Sequence, residues 1–241
     1  MSKASVSNLA KINNIILVAS CKGGVGKSTV SSLLARQLAS KNLRVGLMDA
    51  DIYGPSIPTL FGLENESPKL QEQNFEPIMH NGIKISSIGF LVPQGSALAW
   101  RGPMLSKAIN QLLLGTLWGE LDYLIIDMPP GTGDIHLSIQ NFCKISGVIL
   151  VTIPDKISII DVERAIDLYK KTSISKFWLI ENMSYMKTQD SYIIYPFGLS
   201  YAQGLADKYN IQVIAKLPFI ASINDNTEAY LLPEMQINFE L

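Results

Sequence analysis

Histidine and cysteine are scarce in this sequence, with two of each among 241 residues. Cys21 and Cys143 are far apart, and no C-x-x-C pair is present. That excludes a disulfide framework and suits a reducing, cytoplasmic setting. His80 and His136 do not cluster with cysteine, so no zinc site is expected, and His136 reads as a surface or helix-start residue. An excess of one charge is missing too. Twenty basic residues face 21 acidic ones, a formal net charge of −1, which gives no bulk bias toward nucleic acid or an anionic membrane. The longest apolar runs, "YLIID" and "GVILVTI", are far short of the ~20 residues that cross a bilayer. The opening "MSKASVSNLAKINN" is polar and reads as a tail over residues 1–13 rather than a secretory signal.

Apolar residues are plentiful, at 47% of the chain, enough for a large buried core. They come in short runs of strand length: "IILVAS" (15–20), "RVGLMDA" (44–50), "IKISSIGF" (83–90), "DYLIIDM" (122–128), "GVILVTI" (147–153), "FWLIENM" (177–183) and "QVIAKLP" (212–218). Helical periodicity lies between several of them. "KSTVSSLLARQLASKN" places Val30, Leu33, Leu34 and Leu38 on one face, and "MLSKAINQLLLGTLW" and "ISIIDVERAIDLYKK" behave alike. Alternating strand and helix predicts an α/β fold, a mostly parallel twisted sheet with helices on both faces. Residues 51–82, rich in Pro, Gly, Glu and Asn, break this rhythm and read as a long excursion. With no repeat and no linker, the whole chain reads as one domain.

One stretch carries chemistry. "CKGGVGKST" lies between the first predicted strand and the first predicted helix, the context of a phosphate-binding loop. Gly23, Gly24, Val25 and Gly26 let backbone N–H groups curl around phosphate oxygens, and the helix starting near Lys27 turns its positive end to the same anion. Lys27 is expected to reach the outer phosphates, Ser28 to ligate Mg²⁺ and Thr29 to lie beside the inner phosphate. Cys21 stands where the common pattern has its first glycine. A small side chain is tolerated there at negative φ, and the residue reads as compact and inert. Two acidic stretches complete the site. "VGLMDADIYGPSIP" puts Asp49 and Asp51 at a strand end, Asp49 for the Mg²⁺ shell and Asp51 for the attacking water. "DYLIIDMPPGTGD" ends a strand in Asp127, suited to Mg²⁺ through water, followed by a loop with Gly131 and Gly133 that senses the outer phosphate.

The spacing K-G-G-V-G-K-[ST] resembles the deviant Walker A motif of the MinD, ParA and nitrogenase iron protein superfamily. That resemblance implies that Lys22 reaches across a homodimer to the partner's ATP. "DADIYGPSIP", "RGPMLSKAINQLL", "LDYLIIDMPPGTGDIHLSIQ" and "ENMSY" are more specific. They resemble the Mrp/ApbC family of P-loop ATPases, described as iron–sulfur cluster carriers, over nearly the whole chain. The resemblance implies a P-loop NTPase three-layer sandwich, Mg²⁺ and ATP as cofactors, slow hydrolysis, a homodimer, and delivery of clusters to apoproteins or work with assembly factors. It also implies that Asn182 reads the adenine edge, with Pro218 near the base; an Asn amide donates and accepts in one plane, as adenine requires. Relatives usually follow "NMSY" with C-x-x-C, whereas Thr188 and Ser191 fall about there in this chain, so no iron–sulfur ligand is identified. Many relatives also carry an extra N-terminal domain that this chain is expected to lack. Two rivals stand beside the cluster-carrier reading: a MinD- or ParA-like positioning ATPase on membrane or DNA, and an ATP-gated scaffold that has lost its cluster. The acidic C-terminal stretch, interrupted by Pro233, argues against a basic membrane-targeting helix.

Overall fold

A computed structural model describes residues 9–72, 74–91, 102–131, 134–172, 174–188, 190–220, 230 and 232–241. The chain runs β1 (Ile12–Ala19), α1 (Lys27–Ser40), β2 (Val45–Asp49), α2 (Ile57–Leu60), β3 (Leu70–Gln71), β4 (Asn74–Phe75), β5 (Ile78–His80) and β6 (Ile83–Ser87). It continues with α3 (Gly102–Gly115), β7 (Leu121–Asp127), α4 (Asp134–Gln140), β8 (Gly147–Thr152), α5 (Lys156–Lys170), β9 (Phe177–Lys187), β10 (Ile193–Ile194), α6 (Ala202–Tyr209) and β11 (Gln212–Pro218). Among the described residues, nine strands form one sheet in the order β10-β9-β8-β1-β7-β2-β6-β5, with β11 also paired to β9. All pairings are parallel except β5 on β6 and β10 on β9, so the fold is α/β with a mostly parallel sheet.

Strand alternation sends each side chain to one of two cores. Ile15, Leu17 and Ala19 of β1 enter the core beneath α3 and α5, while Ile16 and Val18 enter the core beneath α1. β8 splits in the same way, with Val148 and Leu150 on one side and Ile149 and Val151 on the other. Because both faces are covered, the central strands read as unbroken apolar runs. Val30, Leu33, Leu34 and Leu38 of α1 are buried on the second side, as their spacing predicts. Leu105, Ile109, Leu112 and Leu113 of α3 face the first, with Trp118 fully buried beyond them and its indole N–H given to the Leu113 carbonyl at 3.1 Å.

Two boundaries differ from expectation. β1 begins at Ile12, inside the stretch that reads as tail, because Ile12 pairs with Leu121 of β7; residues 1–8 lie outside the described residues. β9 runs on to Lys187, since β11 and β10 continue to pair with it after β8 has ended. The excursion over 51–82 holds the short α2, a β3–β4 hairpin and the edge strand β5. No helix among the described residues is long and apolar enough to cross a membrane.

Trp118→Ala should destabilise the fold by about 3–5 kcal/mol in denaturant unfolding. Ile193→Ala, at a residue 53% exposed, should change stability by less than about 0.5 kcal/mol.

Candidate functional site

Parallel register brings the site together. Val18 of β1 stands opposite Asp127 of β7, and Asp127 stands opposite Asp49 of β2, so two carboxylates end adjacent strands at the carboxyl edge. The loop leaving β1 turns back over this edge. Gly24 and Gly26 have φ of 81° and 82°, the left-handed region that glycine enters without strain. Gly26 needs glycine twice over, because a Cβ there would fall 2.2 Å from the Asn182 amide nitrogen. Val25 between them is buried and pins the loop to the core under α1. The Gly26 carbonyl accepts from Val30 N–H, so the loop passes directly into the helix, leaving the first helical N–H groups free for an anion.

A cavity of about 430 Å³ opens over this loop. Gly23, Gly24, Gly26, Lys27, Ser28 and Thr29 line it from one side. Asp51, Pro130, Asn182 and Pro218 line it from the others. Beneath it lies a nearly dry charge cluster. The Lys27 ammonium is 2.9 Å from Asp127 Oδ2 and 3.5 Å from Asp51 Oδ2, and its side chain is 6% exposed. Asp127 also accepts from the Ser28 hydroxyl at 2.6 Å and the Ser31 hydroxyl at 2.7 Å, so both its oxygens are held. Asp51 accepts from the N–H groups of Tyr53 and Gly54, each at 3.3 Å, and turns its other oxygen to Lys27. Burial raises the Asp51 carboxyl, with the Lys27 charge opposing.

Asp49 stands behind these groups and does not line the cavity. Its carboxylate is fully buried and accepts from Asp51 N–H at 3.1 Å, Ile57 N–H at 3.2 Å and the Ser87 hydroxyl at 3.0 Å. Burial first, and the neighbouring Asp127 charge second, push its carboxyl well above the usual carboxylate range. The geometry makes Asp49 the residue that holds the Asp51 to Ile57 loop in place. Asn182 is buried and donates its amide N–H to the Val25 carbonyl at 2.9 Å.

Lys22 points elsewhere. It does not line the cavity, and its ammonium is 3.4 Å from Asp155 Oδ2. Asp155 is the N-cap of α5, accepting from Ser158 N–H at 3.1 Å and Ser158 Oγ at 2.9 Å. Asp155 and Ser31 are absent from the sequence reading of the site. Asp155 had a signal, a D-x-x-S cap ahead of a periodic run; Ser31 had only its position one turn after Lys27. The loop after β7 is stitched to β1, with Met128 N–H on the Val18 carbonyl and Gly131 N–H on the Ser20 carbonyl at 2.8 Å. Gly133 lies outside the described residues.

His136 lies in the first turn of α4, the helix-start place expected as one alternative, but it is not at the surface. It is 1% exposed and bonded through both ring nitrogens. Cys21 is half-buried, and burial pushes its thiol up to about 11, which keeps it protonated and a poor nucleophile. Burial likewise pushes the Cys143 thiol up to about 12. Thr188 and Ser191 form the turn joining β9 to β10, closed by Ser191 N–H on the Thr188 carbonyl at 3.0 Å. Among the described residues, no group of three or more His, Cys, Asp or Glu gathers where it could hold a metal.

Comparison with known proteins agrees with this architecture. The model of the NUBPL iron-transfer P-loop NTPase family matches residues 11–235. An iron–sulfur cluster carrier protein of Rickettsia felis is 54% identical over 214 residues, covering 89% of this chain and 64% of the relative. One of Escherichia coli is 43% identical over 219 residues, 90% of this chain and 59% of the relative. The chain thus spans less than two thirds of the length of these curated relatives. A nucleotide-binding protein of Archaeoglobus fulgidus, solved in complex with ADP, superposes with a TM-score of 0.81 at 36% identity, covering 97% of this chain and 91% of that one. MinD of Aquifex aeolicus shares the fold at a TM-score of 0.63 and 18% identity, covering 93% of each chain. The chain belongs to the NUBPL iron-transfer P-loop NTPase family.

Proposed function

We propose that the chain is a Mg²⁺-dependent ATPase that works as an ATP-gated homodimer in the binding, assembly or transfer of iron–sulfur clusters. The donor set fits the metal and the nucleotide. Ser28, Asp51 and Asp127 offer only hard oxygen donors, which suit Mg²⁺. The left-handed glycines present backbone N–H groups, and above Gly23 and Gly24 there is open space where a side chain would stand. Ser28, with Asp127 at one remove, would hold Mg²⁺, which when bound neutralises phosphate charge and orders the reacting oxygens. Asp49 takes part in that shell only through the Asp51 backbone it fixes. Lys27 leaves its carboxylates to cradle the outer phosphates. Asp51, at the cavity wall, orients and deprotonates the attacking water. Asn182 exchanges its bond to Val25 for the adenine edge, with Pro218 against the base.

The observation that carries the dimer is the direction of Lys22. Every other charged or hydroxyl group of the loop faces its own cavity, whereas Lys22 rests on an exposed ion pair outside it. Such a pair is weak and easily exchanged, so the ammonium is free to serve a second copy's phosphates. The role in cluster handling rests on the names of the relatives. A second reading, an ATP-gated scaffold that acts on cluster assembly without gripping the cargo, is favoured by the hydroxyls of Thr188 and Ser191 at the hairpin turn. Anaerobic reconstitution with iron and sulfide, followed by iron counting, separates the two: about one [4Fe–4S] cluster per dimer supports the carrier, and none supports the scaffold.

Lys27→Ala should weaken ADP binding at least tenfold in calorimetry. Asp51→Asn should leave ADP binding within about twofold while lowering turnover about 10²-fold, the usual weight of a general base. Turnover per chain should rise with protein concentration in the parent and stay flat and low in Lys22→Ala. In chelator-treated, nucleotide-free protein, Asp49 has a native value raised above its unfolded value of 3.8, so the native state binds the extra proton between the two. Its contribution is therefore full at low pH and is lost as pH rises through that window. Asp49→Asn should flatten the fall in stability seen in denaturant unfolding as pH rises from about 4 to about 7.

A further inference from the structure

Between the end of β7 and the start of α4, the chain reads Pro129–Pro130–Gly131. Two consecutive prolines have no backbone N–H, so across them the carbonyls alone can be held by hydrogen bonds. Pro130 lines the nucleotide cavity, and Gly131 N–H is tied to the Ser20 carbonyl of the phosphate loop at 2.8 Å. Among the described residues, one side chain holds the other side of this turn. His136 Nε2 lies 3.2 Å from the Pro129 carbonyl, and His136 Nδ1 lies 2.5 Å from the Tyr169 hydroxyl.

The chemistry fixes the direction of both bonds. A carbonyl only accepts, so Nε2 carries the proton and donates to Pro129. Burial holds the imidazole down to about 4, so the ring is neutral and Nδ1 is a bare acceptor. The Tyr169 hydroxyl must then donate to it. Tyr169 is fully buried on α5 and packs against Phe177 at 6.4 Å between ring centroids, a rigid mount. Every polar atom of the pair is used, as desolvation demands.

We propose that His136 is a positioning residue for the ATPase reaction. It clamps the Pro129 carbonyl to α5 through Tyr169 and so sets where the Pro129–Gly131 turn meets the outer phosphate. This rests on the ATPase reading above, but the clamp itself can be read without nucleotide. In nucleotide-free protein, His136→Ala should speed amide hydrogen exchange at Gly131 at least tenfold. His136→Gln, whose amide N–H can still reach the Pro129 carbonyl, should leave exchange within about threefold of the parent. Tyr169→Phe, which keeps the ring and removes only the hydroxyl, should give an intermediate rise and add nothing to His136→Ala. In steady-state kinetics, His136→Ala should lower kcat about tenfold with ADP affinity within twofold, and His136→Gln should restore most of it. A general loss of packing would not be rescued by glutamine and would not split kcat from binding.

Unchanged Gly131 exchange in His136→Ala overturns the clamp, as does a glutamine variant that exchanges as fast as the alanine one. Should His136→Ala fail to fold, Tyr169→Phe with parental exchange overturns it equally. If exchange responds as stated while the parent protein turns over no ATP, the clamp stands and the ATPase reading falls. If the parent turns over ATP and exchange responds but kcat does not, the positioning role falls.

Discussion

A lysine ammonium held between two carboxylates, almost out of reach of water, is the constraint on which the rest of this site depends. Lys27 meets Asp127 at 2.9 Å and Asp51 at 3.5 Å at the foot of the cavity. Removing either partner of such a pair leaves a bare charge in a poor solvent, which typically costs about 3–5 kcal/mol. The hydroxyls of Ser28 and Ser31 take up the lone pairs of Asp127 that Lys27 leaves over. This arrangement exists only because β1, β7 and β2 lie side by side in parallel register, so that their ends, far apart in sequence, share one edge. The same register presses Asp49 against Asp127, and the fold answers by giving the fully buried Asp49 three donors.

Much of this is legible from residue order because the chemistry dictates residue types at short spacing. The glycines around Val25, the Lys27–Ser28–Thr29 run and the strand-ending acids are local patterns, and the structure brings them together. The strands are legible for a related reason: a strand covered on both faces has no polar side, so its run of apolar residues stands out. Three features had no such signal. The bond from Lys22 to Asp155 joins residues 133 apart in sequence, a pairing that only the fold creates. A single histidine carries no period, so nothing distinguished a buried, doubly bonded His136 from a surface one. The extension of β9 to Lys187 depends on partners from β10 and β11 rather than on its own sequence, which turns polar after Ile180.

α5 connects several of these features. Its first turn is capped by Asp155, which also holds Lys22, and near its last turn it presents Tyr169 to His136. A helix of 15 residues is about 22 Å long, and its buried face, Val162, Ala165, Ile166 and Tyr169, is packed into the core under the sheet. It therefore acts as a beam with one end at the surface where Lys22 rests and the other beside the turn that follows β7.

The overhanging end of β9 has a separate consequence. Near its middle, Asn182 faces the phosphate loop and its neighbour Glu181, fully buried, anchors Ser200 and the start of α6. Beyond Lys187 the turn is closed largely by main-chain bonds, while Tyr192, Ile193, Ile194 and Phe197 stand exposed. One closure belongs to a side chain, since Tyr192 N–H also donates to Thr188 Oγ1 at 3.1 Å, and Ser191 holds a left-handed φ of 65°, so a cysteine at either place would have to do without that bond or bear that conformation. At this tip a change of side chain is therefore a change of shape as well as of chemistry.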